Sequence, residues 1–264
     1  MAALRGADVL ARALARAGVR QLFSLSGNHI MPVYDAALAD PLEAAAQLAR
    51  LSGNVRSDWC NEVGAAVRWR PAEWTTIAGN GALHPAEIGR AVQLQIDRSK
   101  DAVLVANGGE FGQWAQACVS APTRIINGPA GAIGSALPFA IAAKLARLEA
   151  SVFAMLGDGT FGFHMAEFDT AVRAKLPFVA VVGNDSCWNA EHQIQLRAYG
   201  PARTHGCELL PTRYDRVAAA LGGHGEHVER GADLPLALAR AAASQLPACV
   251  NVTIERLAAP GVAA

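Results

Sequence analysis

Two short apolar runs in this chain each stop dead at a glycine with an acidic residue close behind it. Val152-Phe153-Ala154-Met155-Leu156 ends at Gly157-Asp158-Gly159-Thr160, and Phe178 to Val182 ends at Gly183-Asn184-Asp185-Ser186-Cys187-Trp188. Both runs are free of polar residues and contain β-branched ones, which suits parallel strands buried on both faces. The stretch between them has helical character, so the segment reads as a βαβ unit. Both strands then end on one edge of the sheet, which brings the carboxylates of Asp158 and Asp185 together where open α/β sheets bind ligands. Hard oxygen donors beside glycines that admit a close backbone approach suit Mg²⁺ carrying a diphosphate.

The rest of the chain repeats this rhythm. Strands are expected at Ala102 to Ala106, Val152 to Leu156, Phe178 to Val182 and Cys249 to Ile254, with weaker ones at Arg124 to Ile126 and His224 to Val228. Helices are expected at Pro85 to Arg98, Gly112 to Val119, Ile133 to Leu148, Met165 to Ala174, Tyr214 to Leu221 and Leu234 to Ser244. Such alternation predicts a three-layer α/β/α fold with a mainly parallel sheet. Residues 6 to 38 read separately as helix, strand (Arg20 to Leu25) and helix, turning at Ser26-Gly27-Asn28. Residues 41 to 70 change character. Pro41, an alanine-rich helix and a Trp-bearing polar stretch make a linker or helical lead-in rather than a core.

With 264 residues, 52% of them hydrophobic and 17% charged, the chain can bury one ordinary α/β core. A formal net charge of zero gives no electrostatic case for nucleic acid or an anionic membrane. No apolar run approaches the roughly 20 residues that span a bilayer, and the N-terminal residues lack the apolar core of a signal peptide. The five scattered cysteines have no metal-ligand spacing and read as reduced thiols of a cytoplasmic protein.

Two further glycine turns stand at strand ends. Asn107-Gly108-Gly109-Glu110-Phe111 leads from a buried strand into a helix, where free amides form an anion site, although a plain strand-to-helix turn has the same pattern. Gly159 and Thr160 open the helix after Asp158, so their amides and the Thr160 hydroxyl face the same place. Gly128-Pro129-Ala130-Gly131-Ala132-Ile133-Gly134 is not a dinucleotide fingerprint, since its glycines are spaced wrongly and no acidic residue follows a strand downstream.

Gly-Asp-Gly, roughly two dozen residues, then an Asn-rich pair resembles the signature of thiamine diphosphate enzymes. In that family Mg²⁺ is held by the Asp, a side chain 27 positions on and a carbonyl two further, which fall here on Asp158, Asp185 and Cys187. The family usually has Asn at the middle position, so Asn184 stands as the alternative to Asp185. The resemblance also assigns the diphosphate to Gly109 and Glu110 backbone with Gly157, Gly159 and Thr160. It makes Gly131 a carbonyl partner of the aminopyrimidine, and Ile133 either the apolar wedge beneath the cofactor or plain helix core. Ala166-Glu167-Phe168-Asp169-Thr170, Leu176-Pro177, Ser186 to Trp188 and Pro247 to Val252 are similar to the acetolactate synthase and benzaldehyde lyase branch.

That resemblance implies a remnant of a pyrimidine-binding domain at 1–40, a linker at 41–75 and a diphosphate- and Mg-binding domain at 76–264. His29, Trp188 and His192 are the candidate catalytic residues on the substrate side. The family's ring-activating glutamate falls in a segment this sequence lacks. Glu43 has a similar local context but reads better as a solvated helix face. The implied activity is a thiamine diphosphate- and Mg²⁺-dependent lyase or carboligase acting on 2-keto acids or aldehydes, as a homo-oligomer or with an intact homologue. A non-catalytic cofactor-binding partner subunit and an α/β protein for another phosphorylated ligand are the competing readings.

Overall fold

In the computed structural model the described residues are 69–126 and 131–260, with 61–62 and 64–65. The chain divides into two units, 1–69 with 128–131, and 70–127 with 132–264. Of the first, only isolated residues are described. The expected helix-strand-helix at 6–38, the 1–40 domain, Glu43 and His29 therefore lie outside the described residues.

The second unit is built on six strands: β1 (Ala102–Asn107), β2 (Thr123–Ile126), β3 (Ser151–Gly157), β4 (Val179–Asn184), β5 (His224–Val228) and β6 (Ala248–Thr253). They form one sheet in the order β2-β1-β3-β4-β6-β5, and every pairing is parallel. Helices α1 (Pro85–Asp97), α2 (Gly109–Cys118), α3 (Ala136–Ala146), α4 (Asp158–His164), α5 (Glu167–Ala174), α6 (Asn189–Tyr199), α7 (Tyr214–Ala220) and α8 (Leu234–Ala243) connect them. This is the α/β/α architecture that the alternation predicts.

The two faces of the sheet separate by strand parity. Leu104, Phe153, Met155, Val179 and Val181 pack with Ile88 and Val92 of α1, Phe111 of α2 and Leu238 of α8. Val103, Val105, Val152, Leu156 and Val182 pack with Leu137 of α3, Phe161 of α4, Phe168 of α5 and Ala218 of α7. Strands β1, β3 and β4 thus spend both their odd and their even residues on burial, which is why, after Ser151, they carry no polar residue before their last positions.

The structure departs from the sequence expectations in four places. The helix expected from Ile133 starts only at Ala136 and ends at Ala146. Gly131 and Gly134 take positive φ of 65° and 98°, which the helix cannot accommodate, so Ile133 sits in the turn and is not helix core. Helix α4, expected to open at Gly159, begins at Asp158 itself. Phe161, fully buried, stacks on Phe168 and Tyr214 at 5.6 and 5.0 Å and anchors that short turn despite its two glycines. Helix α6 was not anticipated. Finally, residues 70–75 belong to the compact unit rather than to a linker: the Arg90 guanidinium donates to the carbonyls of Trp74 and Ile77, and Trp74 lies 5.2 Å from Trp114. Cys118, Cys187, Cys207 and Cys249 are free thiols. Among the described residues no helix is long and apolar enough to cross a membrane.

Candidate cofactor and metal site

The connection from β1 runs outward to β2, whereas β3, β4 and β6 lie on the other side, so the order switches between β1 and β3. A crevice opens at such a point outside the carboxyl ends of the strands. Its floor comes from both. Asn107 closes β1 fully buried, and its Nδ2 donates to Ser135 Oγ at 2.7 Å. Gly108 (φ 78°) and Gly109 (φ 55°) then turn the chain into α2. A Cβ on Gly108 would stand 1.8 Å from Thr160 Oγ1, so only glycine lets this turn touch the first turn of α4. Gly109 faces open space. The first turns of α2 and α4, whose leading amides have no partner within the helix, thus meet at one crevice. Gly108 to Phe111, Ile133, Gly157 to Thr160, Asp185 and Cys187 to Glu191 line a cavity of about 110 Å³ there.

Asp158 is buried. Its Oδ1 accepts from the Gly159 amide at 2.8 Å, while Oδ2 is buried with no hydrogen-bond partner. Burial pushes its carboxyl up to about 6, against the opposing pull of the amides of Gly159, Cys187 and Ser186. Asp185 is pushed up to about 7 by burial and then by the charge of Asp158, with Arg256 opposing. A buried carboxylate with an orphaned oxygen, beside a half-buried one whose pKa its charge raises, forms an arrangement that a bound cation relieves.

Asn184 turns away from this pair. Its Nδ2 donates to the Thr212 carbonyl at 3.0 Å and to Asn251 Oδ1 at 3.1 Å, and its Oδ1 accepts from Ser186 N and Oγ. Those last bonds hold Ser186 in the left-handed region at φ 54°, and the chain reverses so that Asp185 and Cys187 line the cavity. The carbonyls of Asp185 and Ser186 accept from Arg256. The Cys187 carbonyl accepts no backbone hydrogen bond among the described residues. Its thiol is buried and pushed up to about 12 chiefly by burial, which suits a backbone contributor better than a reactive thiolate. Among the described residues no three His, Cys, Asp or Glu side chains converge, and a cation here would have two carboxylates and a carbonyl as donors. That set leaves most of an octahedron to oxygens from outside the protein.

These pKa values fix a sign. Each carboxyl rises in the folded state above its unfolded value, so between about pH 4 and 7 the folded state holds more protons, and metal-free stability falls as pH rises through that window. Urea midpoints from pH 4.5 to 7.5 should show this fall. Asp185→Asn should flatten it, and a profile unchanged by that substitution would remove the electrostatic account.

A larger cavity, about 520 Å³, lies at the opposite edge, at the amino ends of β3 and β4. Among the described residues no orphaned buried polar atom belongs to its lining, and its Lys144 and Lys175 stand at the carboxyl ends of α3 and α5, where they offset the helix dipoles.

The profile "Thiamine pyrophosphate enzyme, C-terminal TPP binding domain" matches residues 107–252, from the end of β1 into β6. The chain belongs to the thiamine pyrophosphate enzyme family. Within it, the chain is 37% identical over 231 residues to a probable acetolactate synthase of Mycobacterium bovis, covering 85% of this chain and 42% of that protein. It is 39% identical over 177 residues to 2-hydroxyacyl-CoA lyase 2 of Xenopus laevis, covering 63% of this chain and 26% of that one. The fold is shared with a thiamine diphosphate-dependent 4-hydroxybenzoylformate decarboxylase of Rhodococcus jostii, with a TM-score of 0.62 at 20% identity over 68% of this chain and 34% of that chain. The chain thus spans less than half the length of these relatives.

In this thiamine pyrophosphate-binding unit the remaining candidates sort as follows. Ile133 lines the cavity from its turn, which is fixed where the Gly134 carbonyl meets His164 Nδ1 at 2.9 Å. Gly131 groups with the other unit, so only its own backbone conformation is described. Trp188 packs its ring on Gly159, where a Cβ would stand 2.3 Å away, and forms a wall of the cavity. His192 lies one turn further along α6 and does not line the cavity. Glu110 lines it, its carboxylate taking the Ala259 amide. Sequence reasoning missed Asn107, Asn189 and Arg256. Asn107 was within reach, being another polar residue at the end of a polar-free run. Asn189, whose Nδ2 donates to the Leu257 carbonyl at 3.0 Å, and Arg256 carry no local signal.

Proposed function

We propose that this chain binds thiamine diphosphate through Mg²⁺ and serves a carbon–carbon lyase or carboligase of acetolactate synthase type, acting on 2-keto acids or aldehydes. The observation that carries this is the orphaned, buried Oδ2 of Asp158, a residue that lines, together with Asp185, a crevice walled by glycine turns. Asp158, Asp185 and the Cys187 carbonyl would hold Mg²⁺, and the residues of the Gly108–Gly109 turn and Thr160 would take the diphosphate. The donor chemistry fits, being all oxygen and twice anionic. The cradle fits as well, since a side chain at Gly108 would fill it. When bound, thiamine diphosphate supplies the electron-accepting ring that lets a bond beside a carbonyl break or form. The protein's share is to fix the anionic end, exclude water behind Trp188 and press Ile133 against the ligand. The names of the relatives, acetolactate synthase and 2-hydroxyacyl-CoA lyase, support the reaction class.

Because the chain spans 42% of the acetolactate synthase relative, a second reading is a cofactor-binding subunit that works only with an intact homologue. Calorimetric titration with thiamine diphosphate, with and without Mg²⁺, tests the site: Mg²⁺-independent binding would overturn it. Pyruvate consumption and hydrogen–deuterium exchange at cofactor C2, by the chain alone and mixed with an intact homologue, separate the two readings. Exchange near background by the chain alone is the expected result, and its restoration by mixing would favour the second reading.

Ile133→Ala should remove packing from the cofactor rings, a loss of about 2–5 kcal/mol where the site cannot collapse. Affinity for thiamine diphosphate should fall more than affinity for inorganic pyrophosphate. Equal losses would make Ile133 a structural residue only.

A further inference from the structure

Three consecutive carbonyls, those of Asp185, Ser186 and Cys187, run past the proposed metal site, and one side chain chooses between them. Arg256 Nη2 donates to Asp185 O at 3.0 Å and to Ser186 O at 3.2 Å. The same guanidinium grips Glu208, Nη1 to Oε1 at 2.7 Å and Nη2 to Oε2 at 3.0 Å. Glu208 is in turn the antiparallel bridge partner of Cys187, framed by Trp188 N to Cys207 O and Leu209 N to Ser186 O, both 2.8 Å. Arg256 follows β6, the strand beside β4, so it links the loop, its bridging partner and the sheet. A planar fork spans these acceptors; a single ammonium does not.

We propose that Arg256 is a positioning residue for metal binding: it occupies the first two carbonyls of the loop, so that the Cys187 carbonyl is the one left to a cation shared with Asp158 and Asp185. This rests on the Mg²⁺ reading above. The consequence is that Arg256, although a cation beside a cation site, strengthens metal binding. A purely electrostatic neighbour would weaken it.

The test uses the full chain and Mn²⁺ as the probe, with free Mn²⁺ followed by paramagnetic resonance, together with binding of inorganic pyrophosphate in the absence of metal and thermal midpoints. Arg256→Met should weaken Mn²⁺ binding at least tenfold while leaving metal-free pyrophosphate binding within twofold. Arg256→Lys should recover little, and added guanidinium ion should restore part of the Met variant's affinity. Tighter or unchanged Mn²⁺ binding in Arg256→Met would overturn the proposal. So would a parallel loss of pyrophosphate binding in both the Met and the Lys variants, which would mark general loosening. Asp185→Ala is the control for the underlying site: if it binds Mn²⁺ normally the metal reading itself fails, whereas its failure to bind beside a normal Arg256→Met overturns the positioning role alone.

Discussion

Asp158→Ala is expected to abolish Mg²⁺-dependent binding of thiamine diphosphate without unfolding the protein. The carboxylate is 2% exposed, with one oxygen that has no protein partner and the other held by the amide of the adjacent Gly159. Losing one half of a buried charge pairing with the metal costs about 3–5 kcal/mol, roughly two to four orders of magnitude in affinity. The metal-free protein should melt no lower than the parent near pH 7, because a buried carboxylate pushed up to about 6 destabilises the fold once ionised. Normal magnesium-dependent binding in a calorimetric titration would mean the site is elsewhere. Asp185→Ala should be nearly as severe and Asn184→Ala milder, since the Asn184 side chain is committed to Thr212 and Asn251.

Gly108→Ala should damage the same site from its other wall. The glycine holds φ 78° and ψ 134°, backbone that costs an L residue about 1–3 kcal/mol. The new methyl would also overlap Thr160 Oγ1 and Cβ, at 1.8 and 2.8 Å from the ideal position. A lower urea midpoint and at least tenfold weaker pyrophosphate binding are expected. Gly109→Ala is the matched comparison, because it too has positive φ but faces open space. It should lose only about 1–2 kcal/mol of stability, the ordinary cost of the left-handed region. Equal effects of the two on pyrophosphate would show that contact with Thr160 is not what shapes the crevice.

The strands were legible because burial on both faces imposes a rule readable residue by residue: no polar side chain until the end. That rule found β1, β3 and β4 and placed Asp158 and Asp185 at one edge. It does not reach α6, which buries only Asn189 and so shows no apolar stripe to read. The first turn of α3 failed for a related reason. Ile133 has the spacing of a helical residue, but the positive φ of Gly134 is visible only in three dimensions. The one-residue ambiguity between Asn184 and Asp185 has no local solution, for the Asn251 amide group that engages Asn184 comes from 67 residues further along. Arg256 was illegible for the same cause, its acceptors lying 70 and 71 residues earlier.

The insertion of β6 between β4 and β5 has a consequence for synthesis. β5 pairs with β6 and with no other strand, and the open side of β4 is also β6's place. From the moment Asn184 leaves the ribosome until Thr253 does, the nascent sheet carries a bare central edge and its next strand has nowhere to dock. At about 5–20 residues per second that interval lasts on the order of 3–14 seconds. Asn251 and Arg256, which brace the 184–188 loop, arrive at its close. Translation thus produces the carboxylate pair long before it produces the parts that hold it in shape, and a transcript that stalls in this stretch yields a hydrophobic sheet edge open to the wrong partner.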